Sequence, residues 1–491
     1  IWNLTMVNLD KRSYRVEVIR PVWMPFNDVA YTIVESLVHK LGYPTTGPKA
    51  EKYAVMIASI IKAAQTLPKQ SEGRKPKYVG VSFGSQNWSR FPLVGREVAV
   101  KVLKEVFEYL DAKLVDGSGK NWHQDSDGKW YLDPKMSMYH IRLSLLPSNL
   151  LEARFIEVGR PLVKVNSAEA RQQKINRKAK NLPKGFLKYK EANALDRDAL
   201  RASESRIQSL NEFWLDHPLV LPNGNAAASA TRVFHDGRFD AGGRIYGAWT
   251  GLDQKEHRIH CTIDDELICE IDIRASQPTL FSSLLGYKLG GLEKNGHWGD
   301  VYGEMSGLLI INHSWTRQTD DIDAIELMKL NRNIAKQVVM AVLGTGIAEK
   351  PKLTEEVGGY LKPDSWKHFR ETLQQIIPAF EKLEPRYDKD GKLTGYLNGA
   401  GFLSYHESEM MLKTLGQLAE LGIPAYPVHD SVMVKVIDAK VTARVFRQVI
   451  HDYCKQLSGL EVLVPLSVTV ASGSPRDLLP SDKDLEGTYL N

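Results

Sequence analysis

The stretch AYPVHDSVMVKV, residues 425–436, alternates apolar side chains on both sides of the pair His429–Asp430. Such alternation is typical of strands, and the polar pair between the two halves predicts a tight turn. The sequence therefore predicts a β-hairpin that carries a histidine and a carboxylate at its tip. The turn requires neither residue type, so the pair raises the question of a chemical role.

A second acidic strand is predicted in ELICEIDIRASQPTLFSSLLG, residues 266–286. Glu270 and Asp272 fall on one face of this strand, and a helix is predicted to begin near Pro278. A buried carboxylate is costly unless it is paired or bound to a cation. Two carboxylates from distant parts of a chain can together hold two Mg²⁺ ions during phosphoryl transfer. Considered alone, either Asp272 or Asp430 is better explained as a capping or turn residue.

Between these segments, DDIDAIELMKLNRNIAKQVVMAVLGTG, residues 320–346, predicts a long helix. Arg332, Lys336 and Met340 fall at successive i+4 steps and line one face, while apolar residues line another. A basic pair on a helix is usually only solvent-exposed. Beside a two-metal site, the same pair would bind a triphosphate and neutralise its developing charge.

The order of acidic strand, Arg-x-x-x-Lys helix and His-Asp hairpin resembles the motifs of family A DNA polymerases and of the single-subunit RNA polymerases of phages and mitochondria. The segment DVYGEMS, residues 300–306, also resembles a short motif ahead of the nucleotide-binding helix. The resemblance implies that Asp272 and Asp430 bind two Mg²⁺ ions, for which Mn²⁺ can substitute, and that the Ile273 carbonyl assists.

The same resemblance implies roles on the nucleotide side. Arg332 and Lys336 would bind the triphosphate of the incoming nucleotide, and Lys336 would protonate the leaving pyrophosphate. Met340 stands one turn further along, where DNA polymerases carry an aromatic residue, and Gly344 replaces an expected tyrosine. Gln277 would sit against the sugar, where DNA polymerases carry glutamate and RNA polymerases glycine, and its bulk favours deoxynucleotides.

Further segments extend the resemblance to the nucleic-acid side. In FDAGGRIYG, residues 239–247, Asp240 and Arg244 form D-x-x-G-R, which in single-subunit RNA polymerases contacts the template or hybrid backbone. The alternative is a glycine-rich turn with an incidental arginine. A helix predicted over 401–422 resembles the one that lines the primer–template minor groove, with His406 favoured over Glu407 and Glu409 for contact. His429 would support the primer end or the turn, and Ser431 matches the RNA polymerases.

Residues 1–165 carry no motif of this family. Helices are predicted over 28–42, 51–67 and 95–115, followed by a hairpin around Asp127–Gly128. This order is typical of winged-helix DNA-binding domains, but it also occurs in folds that contact no nucleic acid, and both interpretations stay open.

A basic segment follows. Residues 171–190 contain eight basic residues and no acid, among them Lys174, Arg177 and Lys178. They are interpreted as phosphate contacts, with a solvated linker as the alternative. A polar helix over 196–214 is predicted next.

The composition is typical of a soluble protein of several domains. The 491 residues are 43% hydrophobic and 25% charged, which excludes disordered, collagenous and coiled-coil chains. No apolar run approaches the roughly 20 residues of a membrane helix, and no signal-peptide pattern opens the chain. We therefore expect a cytosolic protein, in a bacterium or a host cell, that does not bind membranes. The net charge of +5 permits an anionic partner. Cys261, Cys269 and Cys454 are predicted to be reduced packing residues.

These observations predict an α+β protein with the palm, fingers and thumb of a right-hand polymerase and a mostly helical, winged-helix or similar, N-terminal domain. The expected activity is that of a DNA polymerase without a proofreading domain, acting as a monomer on nucleoside triphosphates and a DNA template with a primer or nascent strand. The alternatives are a single-subunit RNA polymerase or primase, and a non-catalytic DNA-binding replication protein. The predicted divisions are an N-terminal domain over 1–165, a basic thumb-like segment over 166–229, a palm over 230–290 and 396–491, and fingers over 291–395.

Overall fold

The computed structural model describes residues 15–67, 77–82, 91, 93–116, 122–124, 130–132, 136–141, 145–166, 194–235, 237–289, 293–294, 297–298, 301–311, 324–347, 366–387, 391 and 393–471. The chain divides into two units, residues 1–232 with 246–265, and residues 233–245 with 266–491. Both contain helices and sheets, so the mixed α+β class is confirmed. The finer division into five segments stays a prediction.

The helices form where apolar residues recur at helical spacing. In the first unit they are α1 (Asp28–Lys40), α2 (Ala50–Gln65), α3 (Arg96–Tyr109) and α4 (Ala194–Asp216). In the second unit they are α5 (Ser276–Leu284), α6 (Val301–Ile311), α7 (Ala324–Thr345), α8 (Trp366–Ile376), α9 (Ala400–Glu420) and α10 (Ala439–Ser458). All the helices that the sequence predicted are present.

The strands are short in the first unit and longer around the centre of the second. They are β1 (Arg15–Val18), β2 (Trp23–Pro25), β3 (Lys77–Ser82), β4 (Lys113–Asp116), β5 (Trp122–Gln124), β6 (Trp130–Leu132), β7 (Met136–His140), β8 (Phe155–Glu157), β9 (Val163–Val165), β10 (Leu219–Val220), β11 (Ala226–Ala227), β12 (Thr231–Phe234), β13 (Gly242–Tyr246), β14 (Thr262–Ile263), β15 (Glu266–Ile273), β16 (Glu293–Lys294), β17 (His297–Trp298), β18 (Pro385–Tyr387), β19 (Leu393–Tyr396), β20 (Ala425–Val428), β21 (Ser431–Lys435) and β22 (Leu466–Val470).

In the first unit, α1 and α3 both pack against α2. Their apolar faces form one core, to which Ile33, Leu37, Ile57, Val102 and Val106 contribute. One sheet has the strand order β1-β3-β7-β4, and β1 runs parallel to β3. A second series of paired strands runs β2-β8-β11-β10-β14. Long-range strand pairing thus supports the helical core that the periodicity predicted.

The third predicted helix is shorter than expected. The sequence predicted it over 95–115, but α3 ends at Tyr109 and β4 begins at Lys113. Asp111 adopts a φ of 46°, in the left-handed region that a right-handed helix cannot include. The strand then pairs with β7, where Leu114 lies opposite Tyr139. Such a long-range pairing cannot be read from helical periodicity.

The predicted N-terminal hairpin is present, because β5 pairs antiparallel with β6. Its turn at Asp127–Gly128 lies outside the described residues. The sequence did not predict the sheet that contains β1, β3, β4 and β7, so this part of the chain holds more β structure than the expected mostly helical domain. The choice between a winged helix and another helix-then-hairpin fold stays a prediction.

In the second unit, β15 lies between β21 and β22 and runs antiparallel to both. The hairpin of β20 and β21 confirms the prediction for residues 425–436. Helices α9 and α10 pack against each other, and both contact α5. Ile271, Val432 and Phe446 are almost fully buried here, so an apolar core holds the end of the sheet in place.

Three features complete the comparison with the sequence. Cys261, Cys269 and Cys454 are buried and reduced, as predicted. Within the residues that the structure describes, no helix combines the length and apolar character that a membrane crossing requires. The basic residues Lys174, Arg177 and Lys178 lie outside the described residues, so their interpretation stays a prediction.

Gly346 offers a test of the fold where α7 ends. Its φ is 82°, and a Cβ there would overlap the hydroxyl of Tyr396, which donates to the Thr345 carbonyl at 3.1 Å. We expect Gly346→Ala to lower the free energy of unfolding by about 2 kcal/mol or more, because strain and overlap add. Guanidinium unfolding would measure the loss.

The matched control is Gly344→Ala, on the last turn of the same helix. No atom lies within 4 Å of a Cβ at Gly344, so this variant should keep or raise stability, by up to roughly 1 kcal/mol. Equal losses in the two variants would contradict the proposed local geometry.

Candidate active site

The two predicted aspartates lie together at one end of the sheet in the second unit. In the register of β15 and β21, Asp272 is paired with Ser431, the residue directly after Asp430. The backbone N–H of Ile273 donates to the Asp430 carbonyl at 3.4 Å. Antiparallel pairing therefore brings together two carboxylates that are far apart in the sequence.

The hairpin tip has an unusual backbone. His429 has a φ of 59°, and Ala275, directly before α5, has a φ of 48°. Both lie in the left-handed region that non-glycine residues seldom adopt. The Ser276 hydroxyl donates a hydrogen bond to Asp430 Oδ2. This hydrogen bond joins the residues that directly follow the two strained positions, and it holds the carboxylate in one place. Strained backbone of this kind often marks a functional site.

Asp272 sits in surroundings that disfavour its negative charge. Burial, followed by the charges of Asp430 and Glu270, raises its pKa to about 8, while Lys336 and the Ile273 amide act in the opposite direction. Its Oδ1 atom is buried, and no group in the described part of the chain donates a hydrogen bond to it. A buried carboxylate oxygen of this kind is satisfied by a cation.

The basic residues that the sequence predicted for one face of α7 lie on its exposed side. Ile334, Val338 and Val342 are buried, whereas Arg332 and Lys336 are exposed. Met340 continues that face, with 43% of its surface exposed. Lys336 is close enough to Asp272 for its charge to lower the pKa of that carboxyl group.

Tyr302, from α6, supports the same face of α7. The Arg332 guanidinium lies 5.6 Å from the centre of the Tyr302 ring, at the distance of a cation–π contact. Tyr302 belongs to the segment DVYGEMS, so two segments that the sequence singled out separately meet in the structure.

Ser431 has a packing role that the sequence did not reveal. Its hydroxyl donates to Glu270 Oε1 at 2.7 Å and lies 3.0 Å from the Val428 carbonyl. Ser431 and Glu270 are both nearly fully buried. This hydrogen bond crosses from β21 to β15 below the aspartate pair, and it satisfies part of a carboxylate that burial would otherwise penalise.

Glu407, on α9, joins two residues that the sequence had assigned separate roles. Arg244 donates from Nε to Glu407 Oε1 at 2.7 Å and from Nη2 to Oε2 at 2.9 Å. Gln277 donates from Nε2 to Oε2 at 3.2 Å. Burial raises the pKa of Glu407 to about 7, although the Arg244 charge opposes the shift, and the charge of Asp430 adds to it.

The sequence did contain a signal for Glu407. It lies four residues after Leu403 and four before Met411, both buried, so it falls on the apolar face of its helix. A carboxylate at such a position demands a partner. His406, the neighbour that the sequence favoured, lies instead on the half-buried side of α9.

The residues predicted for the nucleic-acid side form a second group. Arg238 holds Asp240 with two hydrogen bonds of 2.7 Å, which lower the pKa of that carboxyl group. The Nδ1 atom of His406 lies 2.8 Å from the Tyr453 hydroxyl. Burial lowers the pKa of His406, while the charges of Glu409 and Asp240 oppose the shift. Asp240 and His406 are therefore neighbours, and their predicted contacts with nucleic acid stay a prediction.

The aspartate pair fits Mg²⁺. The buried Oδ1 of Asp272 without a donor from the described residues, and the neighbouring carboxylate of Asp430, offer the oxygen ligands that this ion prefers. Mg²⁺ is commonly held by one or two carboxylates together with water and substrate phosphates. The described residues contain no cluster of three or more His, Cys, Asp or Glu side chains suited to a metal.

Comparison of the amino-acid sequence with known proteins gives no match. No protein-family model and no curated protein matches the chain. Among solved structures, the chain is similar to the POL domain of Pol1 from M. smegmatis in complex with DNA primer-template and dNTP, with a TM-score of 0.30 and 10% sequence identity. The similarity covers 56% of this chain and 51% of that one. The chain thus spans about half the length of that structure, and a similarity this low does not by itself establish a shared fold.

Proposed function

We propose that the protein is a template-directed nucleic-acid polymerase that extends a DNA primer with deoxynucleotides and releases pyrophosphate. The observation that carries this proposal is the pairing of Asp272 and Asp430 at one end of a sheet, within electrostatic reach of Lys336 on α7. Two converging carboxylates beside a row of exposed basic side chains suit the transfer of a nucleotidyl group from a triphosphate.

The protein groups have distinct roles in this reaction. Asp272 and Asp430, with the Ile273 carbonyl, would hold two Mg²⁺ ions, or Mn²⁺ in their place. When bound, such ions supply positive charge to the transferring phosphate. Arg332 and Lys336 bind the triphosphate and hold its α-phosphorus in line with the primer 3′ hydroxyl.

Proton transfer falls to Lys336. The primer 3′ oxygen forms a bond to the α-phosphorus as the bond to pyrophosphate breaks. Lys336 donates its proton to the leaving pyrophosphate oxygen, and the hydroxyl proton passes to solvent. Arg332 and Lys336 share a face of α7 by their spacing, and the contact with the Tyr302 ring orients the Arg332 guanidinium, which supports a shared role for the two basic residues.

The remaining assignments concern the nucleic acid and the sugar. Arg244, Asp240, His406 and His429 lie on the primer–template side, and Gln277 stands against the sugar, where its bulk favours deoxynucleotides. The basic segment with Lys174, Arg177 and Lys178 contacts phosphates. Their charge would make binding fall with rising salt.

The proposed architecture follows from these roles. A palm over 230–290 and 396–491 carries the aspartates, and fingers over 291–395 carry the triphosphate-binding face. A thumb-like segment over 166–229 and an N-terminal DNA-binding domain over 1–165 complete it. The adjacency of α7 and the aspartate strands in one unit supports the first two assignments.

A single-subunit RNA polymerase or primase is the second candidate. Ser431 and the D-x-x-G-R segment that contains Arg244 favour it. Its activity would begin without a primer and would use ribonucleotides. The buried hydrogen bond from Ser431 to Glu270 offers a structural reason for a serine at this position, so Ser431 alone does not decide between the candidates.

An incorporation assay tests the proposal. The wild-type protein is incubated with Mg²⁺ and a DNA template, with or without a primer, and with dNTPs or rNTPs supplied separately. We expect extension with primer and dNTPs. Products from rNTPs without a primer would favour the second candidate. Salt-dependent DNA binding without incorporation under any condition would contradict both, and would indicate a non-catalytic DNA-binding replication protein.

A further inference from the structure

Glu407 is a buried carboxylate whose partners come from two distant segments. Arg244 lies 163 residues before it, and Gln277 lies 130 residues before it. Two of the three nitrogens of the Arg244 side chain, Nε and Nη2, bind one oxygen of Glu407 each, so they fix the plane of the carboxylate. The third hydrogen bond, from Gln277, is therefore made to an acceptor that is already held in place.

This hydrogen bond determines how the amide of Gln277 is oriented. The amide nitrogen of Gln277 is the donor to Glu407 Oε2, so it faces Glu407 and the amide oxygen faces away. A glutamine side chain has several rotatable bonds and is a poor steric barrier when its end is free. With its end bound to Glu407, the Gln277 side chain is held in one conformation and can act as a steric barrier.

Gln277 lies close to the pair formed by Asp272 and Asp430. Ser276, the residue directly before Gln277, donates a hydrogen bond to Asp430 Oδ2. Glu407 is itself close enough to Asp430 to be affected by its charge. Gln277 thus lies between a residue that contacts Asp430 and a carboxylate that is affected by the Asp430 charge, which brings it near the proposed nucleotidyl-transfer centre.

We infer that Glu407 is a positioning residue for sugar selection: it holds Gln277 rigid, so that the Gln277 side chain excludes the 2′ hydroxyl of a ribonucleotide. This inference rests on the proposed function and adds to it a residue that contacts neither the metal ions nor the triphosphate. Its action passes through Gln277, and Arg244 supports it by holding the carboxylate.

A double-mutant cycle tests the inference. Glu407→Gln replaces one of the two acceptor oxygens with a donor, so the three hydrogen bonds from Arg244 and Gln277 can no longer all form. Gln277→Met keeps the length of the side chain but removes its hydrogen bond. The readout is the ratio of kcat/KM for a dNTP to that for the matching rNTP. We expect each single variant to lower this ratio about tenfold, the effect of losing one hydrogen bond to a charged group.

The coupling between the two substitutions decides whether Glu407 acts through Gln277. If Glu407 acts through Gln277, the double variant should lower the ratio no further than either single variant. A second readout is equilibrium binding of a non-hydrolysable dNTP and its ribonucleotide counterpart to the protein–primer–template complex, in which the ratio of Kd values should change in the same way. Glu420→Gln makes the same chemical change at an exposed position of α9 and should leave both ratios unaltered.

The possible outcomes distinguish a failure of the proposed function from a failure of the inference about Glu407. A wild-type protein that incorporates neither sugar would contradict the proposed function and this inference with it. An active wild-type protein whose ratio is unchanged by Glu407→Gln would contradict the inference alone. Additive effects in the double variant would likewise overturn it, because independent roles for Glu407 and Gln277 would be shown. A loss of folding in Glu407→Gln leaves Gln277→Met, whose unchanged ratio would also overturn the inference.

Discussion

Replacing Asp272 or Asp430 with asparagine is expected to lower Mg²⁺-dependent primer extension by roughly a thousandfold or more. Asparagine has nearly the same shape but carries no charge, so it holds Mg²⁺ poorly and leaves the transferring phosphate without its main electrostatic support. Single-turnover extension of a labelled primer would measure the loss. The two variants should fail to a similar degree, because both carboxylates serve one centre.

Thermal unfolding of the metal-free protein separates this effect from misfolding. Asp272 is half-buried, with a carboxyl group whose charged form is disfavoured by desolvation, and its neutral replacement avoids that cost. Asp272→Asn should therefore unfold no earlier than the wild-type protein while losing activity. Asp265→Asn is the matched control, since Asp265 is exposed at a turn with a φ of 63°, which asparagine also tolerates. Full primer extension by Asp272→Asn and Asp430→Asn would refute the proposed function.

Replacing Lys336 with methionine is expected to lower kcat about a hundredfold, because the variant loses both a charge beside the triphosphate and a proton donor. Lys336→Arg distinguishes these two contributions. Arginine keeps the charge but does not release a proton near neutral pH, so this variant should retain nucleotide binding while kcat stays low. Steady-state incorporation at varied dNTP concentration gives kcat and KM separately.

Lys329→Met provides the control for Lys336. The two lysines lie seven residues apart on α7, so they share a face of the helix and are separated by about 10 Å. Removing the Lys329 charge should change incorporation little. Equal losses in Lys329→Met and Lys336→Met would show that the helix face acts through its overall charge, and the specific role of Lys336 would be withdrawn.

Local patterns of the sequence determined the elements that carry the site. The spacing of Ile334, Val338 and Val342 predicted α7 and the exposure of Arg332 and Lys336 on its other face. The alternation around His429–Asp430 predicted the hairpin of β20 and β21. Both patterns reflect which side chains leave water within one element, and this is a short-range property that neighbouring residues encode.

The family resemblance implied that Asp272 and Asp430 meet, but only the tertiary structure decided how they meet and which other distant residues come together. The burial of Asp272 next to Asp430 depends on the register of β15 and β21, and the partnership of Glu407 with Arg244 and Gln277 depends on how β13, α5 and α9 pack. Single-sequence periodicity shows that Glu407 faces inward, but it carries no information about what lies opposite. The partners of a buried carboxylate are chosen by packing across long stretches of chain, because desolvation makes each unpaired charge costly wherever the fold places it.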